Sequence, residues 1–74
     1  MDLEKIHTSM RVKTSDILGD SPGLMVRTEH ISARKPNKEG RISGIVSGHG
    51  GNAWWVTHDD GTVGAYLLDE IEPV

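Results

Sequence analysis

No stretch of apolar residues in this chain runs beyond four, and clusters of Gly, Asp, Asn, Ser and Pro separate the short runs. A helix crossing a bilayer needs about 20 consecutive apolar residues, so neither a membrane span nor a signal peptide is expected. Short runs rich in Val, Ile, Thr and Trp between turn residues are how strands read in sequence. The expected fold class is all-β.

Residues 10–14 alternate as Met, Arg, Val, Lys, Thr, the period of a half-buried strand. Residues 15–23 carry Asp16, Gly19, Asp20, Ser21, Pro22 and Gly23, turn chemistry throughout, with Ile17 and Leu18 able to tuck the excursion against a core. Residues 24–33 read as a strand, with Leu24, Val26, Thr28 and His30 on one parity. Residues 34–39 form a basic loop around Pro36. The next strand, 40–47, poses a conflict, because Ile42 and Ile45 differ in parity and an ideal strand cannot bury both on one face. Gly44 between them predicts a bulge or a sharp bend, as barrels use at corners. Residues 48–52 read as a Gly-rich loop and residues 53–58 as a strand. Asp59-Asp60-Gly61 is the strongest local signal, a tight hairpin in which Gly61 takes positive φ. Residues 62–66 return as its partner, 67–69 form one helical turn, and 70–74 close as a short strand limited by Pro73. Residues 1–9 are expected to be a flexible arm and residues 10–74 a single small domain.

Only 35% of the 74 residues are apolar. A core this small rarely supplies more than about 3–5 kcal/mol without a staple. The absence of Cys removes disulfides and thiolate metal sites. The remaining solutions are a closed sheet with few free edges or an oligomer sharing its core. Charge is divided unevenly. All eight Lys and Arg lie in residues 1–41 with six acids, whereas residues 42–74 hold five acids and no base.

Residues 54–74 resemble the second half of a Src-homology-3 domain. They carry the Trp54-Trp55 pair, the Asp59-Asp60-Gly61 hairpin, the strand Gly64-Ala65-Tyr66, the turn Leu67-Leu68-Asp69 and the closing strand 70–74. The resemblance implies a five-stranded antiparallel Src-homology-3-like barrel with one helical turn near 67–69, and residues 15–23 would be its first long loop. It also places Trp54 in a surface groove, where the family takes proline-rich peptides. Ala65 and Glu70 stand where that groove usually has aromatic rings, and Leu67 stands for its Pro. Polyproline recognition stacks flat rings on an extended helix, so that ligand is not expected here.

Residues 63–66 also resemble the active-site strand of the plasmid-type dihydrofolate reductases, small barrels that assemble around a central pore. Gly64 and Ala65 replace the Gln and Ile that hold the ligands in that family. A third, looser resemblance links residues 40–46 to small barrels that dock on nucleic acid or ribosomal machinery.

The candidate sites follow from these readings. Adjacent strand residues face opposite sides, so at most one of Trp54 and Trp55 is fully in the core. Pattern pairs Trp54 with Val56 inside, and the family resemblance turns Trp54 outward. An exposed Trp offers rigid contact area to a protein partner, and the plainer reading is that it covers the barrel rim. The expected partner-binding set is Trp54, Trp55, Tyr66 and Glu70. Arg34, Lys35, Lys38 and Arg41 form an alternative nucleic-acid-binding set, or else a solvated loop that protects an edge strand. His7, His30, His49 and His58 lack close ligand spacing, and Asp59 and Asp60 are turn residues before they are a carboxylate pair. No catalytic residue, cofactor or metal is expected. The preferred reading is a non-catalytic, cytoplasmic protein-interaction module, monomeric or a small homo-oligomer. Nucleic-acid binding and an oligomeric pore enzyme are the alternatives.

Overall fold

The computed structural model describes residues 5–19 and 23–74. Its elements in chain order are β1 (Arg11–Thr14), α1 (Thr28–Ser32), β2 (Glu39–Ile45), β3 (Ala53–His58), β4 (Val63–Leu67), a 3-10 turn (Leu68–Glu70) and β5 (Ile71–Pro73). The five strands form one antiparallel sheet in the order β4-β3-β2-β1-β5. Each strand contributes to the core cluster on one face: Val12, Ile42, Trp54 and Val56, Tyr66, and Ile71, from β1 to β5 in turn. A sheet whose every strand packs into one cluster is curled around it, which is how a short chain limits its exposed edges.

The hairpin forms as its sequence requires. Gly61 has φ of 91°, its N–H donates to the His58 carbonyl, and His58 N–H donates to the Thr62 carbonyl. The bulge is present as well. Ile42 pairs with Val56, but Gly44 pairs with Trp55 and Ile45 with Trp54, so Ser43 is the extra residue. The shift sets Ile45 opposite Trp54 on the side of Ile42, yet only Ile42 is buried there and Ile45 stays 51% exposed. Val46 is carried to the outer side, where it packs with Ala53.

One expectation is corrected. Residues 24–33 are not a strand, since residues 28–32 form the single helical turn α1. A strand there needs a ladder partner for its N–H and C=O groups, and β4 does not supply one. The segment instead crosses the outer face of the sheet. It buries Leu24 with Val46, Ala53 and Ala65 in a second cluster, with Val26, Trp55 and Leu67 at its margin. Its helical turn satisfies its own backbone: Ala33 N–H donates to Glu29 O. Within the expected arm, Ile6 is buried in the core cluster, and Ser9 N–H donates to the Ile42 carbonyl. Residues 1–4 of that arm lie outside the described residues.

The charge division becomes a set of pairs across the sheet. Lys13 lies opposite Glu39 on β2 and Glu72 on β5, and Arg11 donates to both oxygens of Asp59 at 3.2 and 2.8 Å. Lys13 thus meets an acid from each half because β1 pairs with both β2 and β5, and Arg11 reaches a second-half acid at the hairpin.

Candidate interaction site

The four residues expected to face a partner are distributed unevenly. Trp54 points inward, 9% exposed, and its Nε1–H donates to the Gly51 carbonyl at 2.9 Å. Tyr66 is fully buried. Glu70 is buried and forms an ion pair with Arg34, while its Oε1 accepts from Leu67 N–H at 2.8 Å. Trp55 alone of the set reaches a surface. The inward position of Trp54 follows from its parity with Val56, in agreement with the strand pattern and against the groove that the family resemblance implies.

The buried members belong to a polar network no sequence pattern announced. Tyr66 Oη accepts from Lys35 N–H at 2.8 Å and lies 2.6 Å from His58 Nε2. His58 Nδ1 is 2.9 Å from the Thr62 carbonyl, which only accepts. Nδ1 therefore carries a proton that it donates to the Thr62 carbonyl. The Arg34 guanidinium lies 5.5 Å from the Tyr66 ring centroid, within cation–π range. Gly64 is the residue that admits this pair. A Cβ there would stand 2.9 Å from Tyr66 Cε2 and 3.1 Å from His58 Cε1. The position where the pore reductases keep Gln therefore has a packing reason to be bare.

Burial lifts the Tyr66 phenol above its ordinary value, opposed by the Lys35 amide hydrogen bond. A raised folded-state value means a contribution to stability that is complete below about pH 10 and lost as pH climbs through the folded-state value. Tyr66 is the chain's one tyrosine, so phenolate absorbance reads it alone. The expected result is phenolate formation above the free-tyrosine range, accompanied by loss of the native circular dichroism. Ordinary titration with the fold intact would show that the hydroxyl is hydrated.

The basic loop is likewise split. Arg34 is turned inward to Glu70. Arg41 donates to the Ser9 carbonyl at 3.1 Å, and Lys35 and Lys38 stay exposed. The four do not form one cationic face. At the hairpin, Asp59 and Asp60 are held below the usual carboxylate range, Asp59 by the hydrogen bond from Arg11 and Asp60 by that from the Thr62 hydroxyl. No group of three or more His, Asp or Glu among the described residues is placed to hold a metal ion. No helix among them is long and apolar enough to cross a membrane.

What the fold assembles around Trp55 is an open groove of about 480 Å³. Trp55, on β3, and Val46, just past β2, form one wall. Met25, Val26, Arg27 and His30 form the other. The His30 ring meets the Trp55 ring edge-on, with centroids 4.8 Å apart, and His30 Nδ1 is held by the Val63 carbonyl at 3.0 Å. Met25 is 86% exposed, more than any other large apolar side chain described. Its backbone N–H is nevertheless fixed, donating to His49 Nε2 at 3.1 Å. The sequence pointed to the aromatic wall but not to the wall from residues 25–30, because that segment read as a strand.

No family model, curated protein or solved structure matches this chain.

Proposed function

We propose that this chain is a non-catalytic interaction module, related in plan to the Src-homology-3-like barrels, that binds a protein partner in the groove beside Trp55. The plan is supported by the element order: a first strand paired with both the second and the last, a long excursion after it, a tight hairpin, and a 3-10 turn before the closing strand. The observation that carries the binding role is the exposure of Met25 at the lip of an aromatic-walled groove. Methionine is flexible and polarizable, and it adapts to apolar partners. Aromatic and methionine side chains are also enriched at the centres of interfaces. In this reading Trp55 is the rigid anchor and Met25 the adaptable contact, while Trp54, Tyr66 and Glu70 hold the frame.

Met25→Glu places a charge in the groove without touching either buried cluster. The variant is expected to keep the wild-type circular dichroism and melting temperature. A protein captured by the wild-type chain should be lost from the variant by at least about tenfold, the effect of leaving a charge desolvated at an interface. Capture undiminished by Met25→Glu would place the contact elsewhere on the surface.

A further inference from the structure

We propose that residues 24–33 form a strap that lifts from the outer face of β3 and β4 as one unit, giving the Trp55 groove one fixed wall and one movable wall. The inference rests on the groove reading above and adds its regulation.

The fixed wall is held by the ladder. Trp55 lies on β3, paired with Gly44 on one side and Ala65 on the other. The strap is held differently. Among the described residues its backbone hydrogen bonds stay within the segment or reach the next residue: His30 N–H to Arg27 O, Ala33 N–H to Glu29 O, and Arg34 N–H to Ile31 O. Among the described residues its hydrogen bonds to the rest of the chain run through two imidazoles, Met25 N–H to His49 Nε2 and His30 Nδ1–H to the Val63 carbonyl. Apolar contact adds Leu24 and Val26, packed on Ala53 and Ala65. Helix α1 has five residues, and its N-cap residue Arg27 makes no side-chain capping bond.

The chain immediately after the strap is pinned. Arg34 pairs with Glu70, and Lys35 N–H donates to Tyr66 Oη. The Thr14 hydroxyl donates to Lys35 O and accepts from Lys38 N–H. The boundary between the movable and the pinned parts therefore falls at Ala33 and Arg34. Side-chain ties and a small apolar contact place a segment at the low end of the local stability scale, whereas ladder strands lie near the global value. Opening uncovers Ala53, Ala65 and Leu67 beside Trp55, an apolar patch. A partner segment bearing aliphatic side chains two residues apart, as Leu24 and Val26 are, would take their place and select the open state.

Native-state hydrogen exchange in rising sub-denaturing urea tests the strap without a partner, so its outcome is independent of the capture experiment. The amides of Met25, His30, Ala33 and Arg34 are expected to exchange through one shared opening. That opening should have a urea slope above zero but smaller than the global one, and protection about 100-fold below that of Ile42 and His58. Leu24→Ala shortens the apolar anchor and should speed exchange of the strap amides by about tenfold or more, leaving Ile42 and His58 unchanged. Separate zero-slope values for each amide would mean simple fraying, and values equal to those of the sheet would mean no separate unit. Either result overturns the strap, as does a Leu24→Ala effect spread equally over the sheet.

Discussion

Glu70→Ala is expected to remove about 3–5 kcal/mol of stability, the loss typical when a buried ion pair is broken from one side. The side chains of Arg34 and Glu70 are only 5% and 9% exposed, so the variant removes a charged partner from a guanidinium that water cannot fully reach. The amide of Leu67 loses its acceptor at the same time. A domain of this size has roughly that much stability in total, so the variant should be largely unfolded at 25 °C, as read by urea titration of tryptophan fluorescence. The double variant Arg34→Met with Glu70→Leu should recover most of the loss, because an apolar replacement leaves no uncompensated charge. A single-variant cost below about 1 kcal/mol would instead describe a solvated surface pair.

Gly40→Ala is expected to cost about 3 kcal/mol, at the upper end for overpacking by a single methyl group. A Cβ at Gly40 would collide with the carbonyl oxygen of Thr57 and stand 2.9 Å from the His58 Cα. Those atoms are backbone, so no rotamer change relieves the contact. The strands β2 and β3 must separate where Gly40 opposes His58. Gly64→Ala is a useful comparison, since its obstacles are the side chains of Tyr66 and His58, which can shift. It should cost less than Gly40→Ala but weaken the Tyr66–His58 hydrogen bond, which the phenolate titration would register. Equal stability of Gly40→Ala and wild type would mean that the two strands tolerate a wider spacing at that point.

These two sites illustrate different kinds of legibility. Gly40 was visible as a strand boundary, but its close approach to Thr57 depends on which strand lies beside it. The family resemblance places a groove aromatic at Glu70 and so reads it as a surface residue, whereas the carboxylate closes the 3-10 turn and pairs with Arg34. Arg34 in turn looked like part of a cationic loop, although its side chain is among the most buried charged groups. One-dimensional spacing cannot pair residues 36 positions apart. The strand assigned to 24–33 failed for a related reason. Its alternation was compatible with a ladder, but the sheet offers that segment a face and not an edge.

Local chemistry was enough where the determining interactions are themselves local. Asp59-Asp60-Gly61 makes a hairpin because Gly61 takes positive φ within a few bonds of the strands it joins. The parity conflict between Ile42 and Ile45 called for a bulge or sharp bend at Gly44, whereas the alternation of Trp54 with Val56 and the family resemblance pointed opposite ways for the indoles. The sequence by itself therefore determined an all-β fold, its hairpin and an irregularity at Gly44, and it left the facing of Trp54 and Trp55 to be settled by the tertiary structure. Only the tertiary structure decided what stands on the other side of each face. It brought Arg34 to Glu70, closed Tyr66 onto His58, and laid residues 24–33 across Ala53 and Ala65 to build the second wall of the Trp55 groove. Turn and strand preferences are properties of neighbouring bonds, whereas these contacts exist only once the curled sheet has brought distant segments within hydrogen-bonding and van der Waals reach.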